Sequence, residues 1–275
     1  MFADLHIHSW YSDGTLSVDE IIKKAKSQNI SVISICDHNL IDAYTELENL
    51  CSDINNGIRI IKGVEINAVT DGMEYHILAY GFDAHNEKLN ELLKYNCGVY
   101  SDIAYKLIKN MSADYASISL EEFLKYERNR RNGGWESVDY LKSKGLVSNF
   151  SDYFNFVKEY GEPPGKDFLS PPEVIKIIQN AGGSAVLAHI GEYTRHNLEL
   201  CKKTAVEFAE MGIDGFECYY PAHNTEITEF LVNFCRRHDM MITAGSDEHG
   251  EFGDLSERGF YIGAVKTKIE RLNTI

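Results

Sequence analysis

The chain has 275 residues, 44% of them hydrophobic and 25% charged, which suffices for one large domain or for a domain with an insertion. Its formal net charge of −15 argues against a broad surface for duplex DNA, whose phosphates it would repel. No apolar run approaches the length that spans a membrane, and no signal peptide precedes the first strand. We therefore expect a cytoplasmic protein whose six cysteines are free thiols.

Short apolar strands alternate with amphipathic helices in the first part of the chain. The predicted strands lie at 2–7, 30–36, 58–65 and 75–80. Between the first two, Ser17 and Glu20 form a capping box that begins a helix. After residue 86 the alternation ends, and a long helix is predicted at 87–109, followed by polar sequence rich in tyrosine and arginine.

The alternation returns at Ser170, with further strands predicted at 184–188, 215–218, 241–244 and 260–263. This pattern predicts a parallel α/β architecture, either an open doubly wound sheet or a barrel. We favour a barrel, because polar residues follow nearly every strand, as they do in barrel active sites. Residues 1–83 and 167–275 would form the barrel, and residues 84–166 a mainly helical insertion over its carboxyl face.

Histidines and carboxylates recur where the strand-like runs end. His6 and His8 are two residues apart, so on a strand they point to the same face and can hold one metal ion. With the other positions of this kind, the candidate ligands are His6, His8, Asp13, His38, Glu65, His76, His189, Asp247 and His249. This set exceeds what one ion needs, whereas three divalent ions with bridging carboxylates would use it fully. Imidazole and carboxylate without cysteine suit zinc, manganese or iron.

The charge of such a site indicates its substrate. Three divalent ions and the carboxylates of Asp13, Glu65 and Asp247 leave a net charge of about +3. A positively charged pocket of this kind favours an anionic substrate, and a phosphate ester fits best. A bridging water would be deprotonated near neutral pH, and the resulting hydroxide could attack phosphorus. Asp4 and Asp37, by contrast, are predicted to accept hydrogen bonds from neighbouring imidazoles.

The sequence resembles the polymerase-and-histidinol-phosphatase (PHP) superfamily in motifs spread over most of the chain outside its middle. These motifs are DLHIHS (4–9), SDG (12–14), CDHN (36–39), GVEI (63–66), HILAYG (76–81), LAH (187–189) and GSDEHG (245–250). Within the superfamily the chain is most similar to a phosphoesterase branch that includes nucleotide phosphatases and 5′-to-3′ RNA exonucleases. The resemblance implies a distorted (βα)7, TIM-like barrel with a trinuclear metal site.

The resemblance also implies how the ligands are shared. His6, His8, Glu65 and Asp247 would hold one ion; Glu65, His76 and His189 a second; and Asp13, His38 and His249 the third. His189 and Asp247 are in addition candidate catalytic residues, because their substitution is expected to abolish turnover. The general acid stays open among a metal-bound water, His189 and another protonated group.

Two stretches depart from the pattern of that branch. Its members often carry Gly-Arg-Pro-His in the insertion, where this chain has NGGWES (132–137), and His-Pro-x-Arg-Tyr after the third motif, where it has HIGEY (189–193). The missing arginines are expected to change how the rest of the substrate is bound, while the metal chemistry remains. The cations that could replace them are Arg128, Arg130, Arg131, Arg195 and Arg258, whose planar guanidinium groups suit phosphate.

These observations favour a metal-dependent phosphoesterase acting on a small phosphorylated metabolite, such as a nucleotide or sugar phosphate. A phosphodiesterase that opens small cyclic phosphates, or a 5′-to-3′ exonuclease on short RNA, is the alternative. A third hypothesis is a metal-bound regulatory module without catalytic activity, which the intact ligand set disfavours.

Overall fold

The strands of the protein form two sheets. The structure is a computed structural model that describes residues 1–49, 57–161, 167–252 and 259–271. Its strands are β1 (Phe2–Ile7), β2 (Ile30–Ile35), β3 (Arg59–Ile60), β4 (Gly63–Thr70), β5 (Met73–Tyr80), β6 (Ser184–Leu187), β7 (Gly215–Tyr219), β8 (Met241–Ala244) and β9 (Thr267–Lys268). One sheet has the order β3-β2-β1-β9, and the other has the order β4-β5-β6-β7-β8.

Helices follow most of the strands. They are α1 (Val18–Ser27), α2 (Asp42–Asn49), α3 (Glu87–Asp114), α4 (Leu120–Phe123), α5 (Glu136–Ser143), α6 (Phe150–Tyr160), α7 (Pro171–Asn180), α8 (Ile190–Tyr193), α9 (Leu198–Glu210) and α10 (Thr225–His238). The capping box predicted for α1 is present, since Glu20 N donates to Ser17 Oγ and Ser17 N donates to the Glu20 carboxylate. Among the described residues, no helix is long and apolar enough to cross a membrane.

The two sheets meet at the carboxyl ends of β1 and β2. Ile7 pairs with Glu248, which follows β8, and His38 pairs with Glu65 on β4. Backbone hydrogen bonds hold both junctions: His8 N donates to Glu248 O at 2.8 Å, and Asn39 N donates to Glu65 O at 2.8 Å. The ends of these strands therefore converge on one side of the molecule.

The α/β class is as predicted, but the sheet pairing differs from a regular (βα)7 barrel. Strand β5 runs antiparallel to both β4 and β6, so the prediction of an all-parallel sheet is wrong there. A two-residue turn, Asp71-Gly72, joins β4 to β5 in place of a helix, and both residues have positive φ, as tight hairpins require. The predicted strand at 58–65 is divided between β3 and β4.

The predicted strand at 260–263 is also wrong, because these residues form a turn. Ile262 is fully buried there, and its N–H donates to Glu248 Oε2 at 2.7 Å. The apolar run at 260–263 therefore indicates burial in the core and not pairing in a sheet.

Helices α3 to α6 lie between β5 and α7 and bring a second apolar cluster to the molecule. The start of α3 packs on the core of the larger sheet through Leu89, Leu92 and Leu93. Its later turns, with Ile108 and Met111, pack in a separate cluster with residues of α5 and α6. The helix has 28 residues, about 42 Å of length, and so connects the two clusters. It begins where predicted and ends five residues later than predicted.

Candidate metal centre

Glu65 is the centre of a cluster of imidazoles at the converging strand ends. It lies on β4 and is fully buried, although a lone buried carboxylate is costly. Its Oε2 lies 3.2 Å from His6 Nε2, 3.2 Å from His8 Nε2 and 3.3 Å from His38 Nδ1. Its Oε1 lies 3.0 Å from His76 Nδ1 and 3.0 Å from His189 Nε2. One carboxylate thus faces imidazoles from five positions in the sequence.

The aspartates complete the cluster from two loops. Asp247 Oδ1 lies 3.4 Å from His6 Nε2 and 3.2 Å from His8 Nε2. Asp13 Oδ2 lies 3.4 Å from His249 Nε2, and its Oδ1 lies 3.4 Å from His8 Nδ1. The His249 ring stacks on the His8 ring with centroids 4.1 Å apart. The structure therefore brings all nine predicted ligands together.

In the part of the chain that the structure describes, the ligand atoms fall into three overlapping groups, and the atoms of each group all lie within 4.8 Å of one another. The groups are His6, His8, Glu65 and Asp247; His8, Asp13, His38 and His249; and His38, Glu65 and His76. The first is the set that the family resemblance assigns to one ion. The third places His38 beside Glu65 and His76, while His189 faces the same Glu65 oxygen as His76.

The side chains present fit divalent cations. His6 Nε2 and His8 Nε2 face each other at 3.1 Å, although each neutral imidazole has only one N–H to donate. His38 Nδ1 and Glu65 Oε2 are buried without a hydrogen-bond partner in the described part of the chain. Buried polar atoms normally have hydrogen-bond partners. Unpartnered nitrogen and oxygen atoms that face one another can instead be satisfied by a divalent cation, to which each donates a lone pair.

Electrostatics within the cluster favour ionised carboxylates. Burial alone would raise the pKa of Asp13, but the imidazoles of His249 and His38 hold it well below its usual range. Burial alone would lower the pKa of His8, but the nearby carboxylates of Asp247 and Glu65 raise it to about 10. The carboxylates thus bind cations strongly, and protons compete with metal ions for the imidazoles.

Asp4 and Asp37 do not orient imidazoles as predicted. Asp4 accepts hydrogen bonds from the backbone N–H groups of Ser246 at 2.9 Å and Gly263 at 2.8 Å. Asp37 accepts from Ser9 N and from the hydroxyls of Ser9 and Ser12 at 2.6–2.8 Å. Both carboxylates therefore hold the loops that carry ligands, a role that depends on backbone geometry and has no signature in the sequence.

Residues outside the predicted set also contact the cluster, among them Glu217, Tyr220 and Tyr193. Glu217 on β7 faces His6 Nδ1, the Tyr220 hydroxyl donates to Asp247 Oδ2 at 3.1 Å, and the Tyr193 hydroxyl accepts from His76 N at 2.8 Å. The available signal was the acidic Glu217 inside an apolar strand, GFECY. It lies inside the predicted strand 215–218 and not at its end, so it did not match the pattern of the other candidates.

The arginine-rich segment of the insertion lies against the loop after β1. Arg128 donates to the backbone oxygens of Trp10 at 2.9 Å and Ser12 at 2.5 Å, and also to Gly134 O. Its guanidinium is thereby occupied by the backbone, which counts against the predicted contact with phosphate.

The other candidate arginines differ in their surroundings. Arg131 pairs with Glu20 at 2.5 Å and lies over the Trp10 ring, whereas Arg130 lies over the Tyr11 ring at 4.9 Å. Arg195 is exposed, and its backbone N–H donates to Glu192 O. Arg258 lies outside the described residues.

A cavity of about 760 Å³ lies between the metal cluster and the insertion. His38 and His76 form part of its wall on the cluster side, and Arg128 and Arg130 also line it. Its aromatic wall is formed by Tyr11, Tyr100, Tyr126, Trp135, Tyr153 and Phe154. The predicted contact of Arg130 with a bound anion is compatible with this position.

Comparisons with known proteins identify the family of this chain. The PHP domain model matches residues 4–219. A 5′-3′ exoribonuclease of Haemophilus influenzae is 28% identical over 251 residues, which cover 90% of this chain and 89% of that protein. A phosphoribosyl 1,2-cyclic phosphate 1,2-diphosphodiesterase of Eggerthella lenta is 23% identical, over 96% of this chain and 100% of that protein.

A solved structure is similar along nearly the whole chain. It comes from Bifidobacterium adolescentis, is assigned as a metal-dependent phosphoesterase, and has 26% sequence identity and a TM-score of 0.75. The likeness covers 98% of this chain and 97% of that one. Together with the match of the family model, this confirms the predicted resemblance: the chain belongs to the PHP domain family of metal-dependent phosphoesterases.

Proposed function

We propose that this protein hydrolyses a small phosphorylated metabolite, a nucleotide or sugar phosphate, at divalent ions held by the nine clustered side chains. The single observation that carries the proposal is the opening of this cluster, through His38 and His76, into a cavity of about 760 Å³. Cavities of this size hold small ligands and not long polymers. We also propose that the strand ends form a distorted barrel, with residues 84–166 as a helical insertion over them.

The bound ions, up to three and of manganese, iron or zinc, would supply Lewis-acid chemistry, polarising a phosphoryl oxygen and activating water. The side chains of the protein set the geometry around that chemistry. Asp247 is 16% exposed at its side chain, compared with 1% for Glu65, so it is the carboxylate of the first group that substrate and water reach. We assign Asp247 to accept the proton of the attacking water at its carboxylate.

His189 and Arg130 have different roles in this proposal. The His189 ring holds its Nε2 against Glu65 Oε1 at 3.0 Å, next to His76, and so completes the side of the cluster away from Asp13. Arg130 stacks on Tyr11 at the cavity, where its guanidinium can bind a non-reacting oxygen of the phosphate. The aromatic wall would bury the apolar part of the leaving group.

Two related activities are favoured by particular observations. The relative from Haemophilus influenzae is an exoribonuclease, and an open end of the cavity would admit a short 5′-phosphorylated RNA. The relative from Eggerthella lenta acts on a cyclic phosphate, and it aligns over its full length. Arg128 contacts backbone oxygens, which fits a compact substrate with less need of a second arginine.

A substrate panel tests the proposal. Manganese-loaded protein is offered nucleoside and sugar monophosphates, small cyclic phosphates, a 5′-phosphorylated dinucleotide and a longer RNA, with the Asp247→Asn variant as control for contaminating phosphatase. We expect turnover of a small ester and little of the longer RNA. Processive degradation of the long RNA would favour the exonuclease, and no turnover of any ester by metal-loaded protein would refute the proposal.

A further inference from the structure

Glu217 lies between two of the candidate ligands and is fully buried. Its Oε1 is 3.1 Å from His6 Nδ1, and its Oε2 accepts a hydrogen bond from the backbone N–H of His189 at 2.9 Å. The neighbouring residues Phe216 and Cys218 point into the apolar core on the other face of β7. The carboxylate is therefore directed at the metal cluster by the alternation of the strand.

The contact with His6 determines which ring nitrogen is free. A carboxylate only accepts hydrogen bonds, so the proton of a neutral His6 must lie on Nδ1. Nε2 then has an unshared pair, and it points at Glu65 Oε2 (3.2 Å) and Asp247 Oδ1 (3.4 Å). This is the tautomer that a metal ligand needs, oriented toward the first group of ligand atoms.

The contact with His189 acts on the backbone. His189 has φ 28° and ψ 50°, a left-handed conformation that is strained for any residue other than glycine. Its N–H is held by Glu217 Oε2 in this conformation, which places Nε2 at 3.0 Å from Glu65 Oε1. Each oxygen of Glu217 thus fixes one histidine, and the two histidines come from different strand ends.

The packing around Glu217 is consistent with this role. A Cβ atom at Gly245 would lie 2.2 Å from His6 Cβ and 2.4 Å from Glu217 Oε1. Real side chains essentially never approach so closely, so a glycine at this position is what allows the carboxylate and the imidazole to meet.

We propose that Glu217 is a positioning residue that holds His6 in its Nδ1–H tautomer and His189 in its left-handed conformation, so that both present Nε2 to divalent ions. This inference rests on the proposed function. Glu217 itself faces the outer nitrogen of His6 and would act through the two histidines, not on the substrate.

The Glu217→Gln variant tests the role, since glutamine has the same shape but one donor in place of an acceptor. If the NH₂ group of the glutamine faces His6, Nδ1 must accept a hydrogen bond and the His6 proton moves to Nε2. If the NH₂ group faces His189, two N–H donors oppose each other. We expect the dissociation constant for Mn²⁺, measured by competition with a chromophoric chelator, to rise about ten- to a hundredfold. Wild-type affinity in this variant would refute the role of Glu217.

Asp214→Asn is the matched control. Asp214 is a half-buried carboxylate just before β7 that accepts hydrogen bonds from Ala185 N at 2.7 Å and from Gln179 Nε2 at 3.1 Å. The change introduces the same kind of donor conflict away from the metal ligands, so we expect lower thermal stability with Mn²⁺ affinity unchanged. An equal loss of affinity in both variants would show a merely structural effect and refute the proposal.

A measurement on the wild-type protein does not depend on the folding of a variant. In zinc-loaded protein, long-range ¹H–¹⁵N NMR correlations should show His6 protonated at Nδ1, with the signal assigned by its loss in His6→Asn. An unprotonated Nδ1 would refute the inference even if the enzyme is active. Wild-type protein that takes up no metal would instead refute the proposed function.

Discussion

Asp247 differs from the other clustered carboxylates in its surroundings. The Tyr220 hydroxyl donates to its Oδ2, while its Oδ1 faces His6 and His8. Glu65, by contrast, is enclosed by imidazoles, and its side chain is only 1% exposed. At the scale of single residues, the more accessible of the two carboxylates in the first group is therefore the one proposed to receive a proton.

Substitution of Asp247 by asparagine removes a negative charge and the proton acceptor while keeping the shape of the side chain. We expect kcat to fall at least roughly a hundredfold, and His189→Ala to abolish turnover likewise. Phosphate release from the preferred ester is the measurement, with metal content determined in parallel. Asp71→Asn, in the exposed turn of the β4–β5 hairpin, is the control, and wild-type turnover in either test variant would refute the assignment.

Arg130 and Arg131 are adjacent but face different partners. Arg130 lines the cavity, whereas Arg131 pairs with Glu20 on α1. Because a charge-assisted hydrogen bond to phosphate is lost, we expect Arg130→Met to raise KM about tenfold or more with a smaller effect on kcat. Arg131→Met should leave KM near its wild-type value, and steady-state kinetics on the same ester compare the two. Equal KM values for both variants would remove Arg130 from the substrate site.

At the scale of elements, three loops interlock to bring Asp13 and His249 together. Gly134 N of the insertion donates to Asp13 O at 2.7 Å, and Thr15 N donates to His249 O at 3.1 Å. Glu251 N donates in turn to Thr15 Oγ1 at 3.1 Å. The insertion is thus connected through backbone hydrogen bonds to the loops that carry the candidate ligands, so we expect its packing to influence their arrangement.

Gly134→Ala should disturb this connection. Gly134 has φ +69°, and a Cβ there would lie 2.4 Å from the ring of Phe252, which is buried. We expect a loss of about 1–3 kcal/mol from overpacking in addition to the strain of the left-handed backbone, together with weaker Mn²⁺ binding. Thermal unfolding and chelator competition measure the two effects.

Gly145→Ala separates strain from overpacking. Gly145 has φ +71° and nothing within 4 Å of the added carbon, so only the strain of about 1–2 kcal/mol is expected, with metal binding unchanged. If Gly134→Ala and Gly145→Ala lose equal stability and equal metal affinity, the contact between the insertion and Phe252 does not contribute to metal binding.

Sequence patterns predicted the elements better than their arrangement. His6 and His189 were recognisable because each lies at the end of an apolar run. The predicted strand end at Glu65 is wrong, because Glu65 lies near the start of β4. The direction of β5 was not predictable, since alternation of side chains is the same in parallel and antiparallel strands. Ile262 was read as part of a strand because burial in a turn produces the same apolar signal.

The roles of polar side chains depended still more on tertiary contacts. Arg128 and Arg130 both line the cavity, yet Arg128 donates to backbone oxygens whereas Arg130 lies over the Tyr11 ring. Glu217 was missed because its partners, His6 and His189, are distant in the sequence. Composition and spacing reveal which groups are present, whereas hydrogen-bond partners are decided by packing.

At the scale of the whole molecule, the acidic charge and the buried cluster make metal uptake depend on pH. Burial alone would lower the pKa of His76, but Glu65 raises it to about 10. The pKa of His8 is likewise lowered by burial and raised to about 10 by Asp247 and Glu65. In metal-free protein these imidazoles therefore keep their protons at neutral pH, and a bound ion must displace them. Raising the pH should strengthen binding, and lowering it should release metal.

Calorimetry measures this linkage. Titration of metal-free protein with Mn²⁺ in buffers of different ionisation enthalpy should show a net release of protons, with an apparent dissociation constant that falls between about pH 6 and pH 9. A circular dichroism spectrum at each pH is the control for unfolding. Affinity that is constant over this interval would contradict the proton competition at His8 and His76.

The β4–β5 hairpin gives the order in which the cluster can assemble during folding. Glu65 and His76 lie on its paired strands and are joined by a two-residue Asp71-Gly72 turn, so they can meet in about 1–10 μs, the time in which hairpins form. His6 and Asp247 are separated by most of the chain and must wait for the closure of a long loop. On the ribosome, a nascent chain would therefore acquire its first pair of ligands long before the last strand is synthesised.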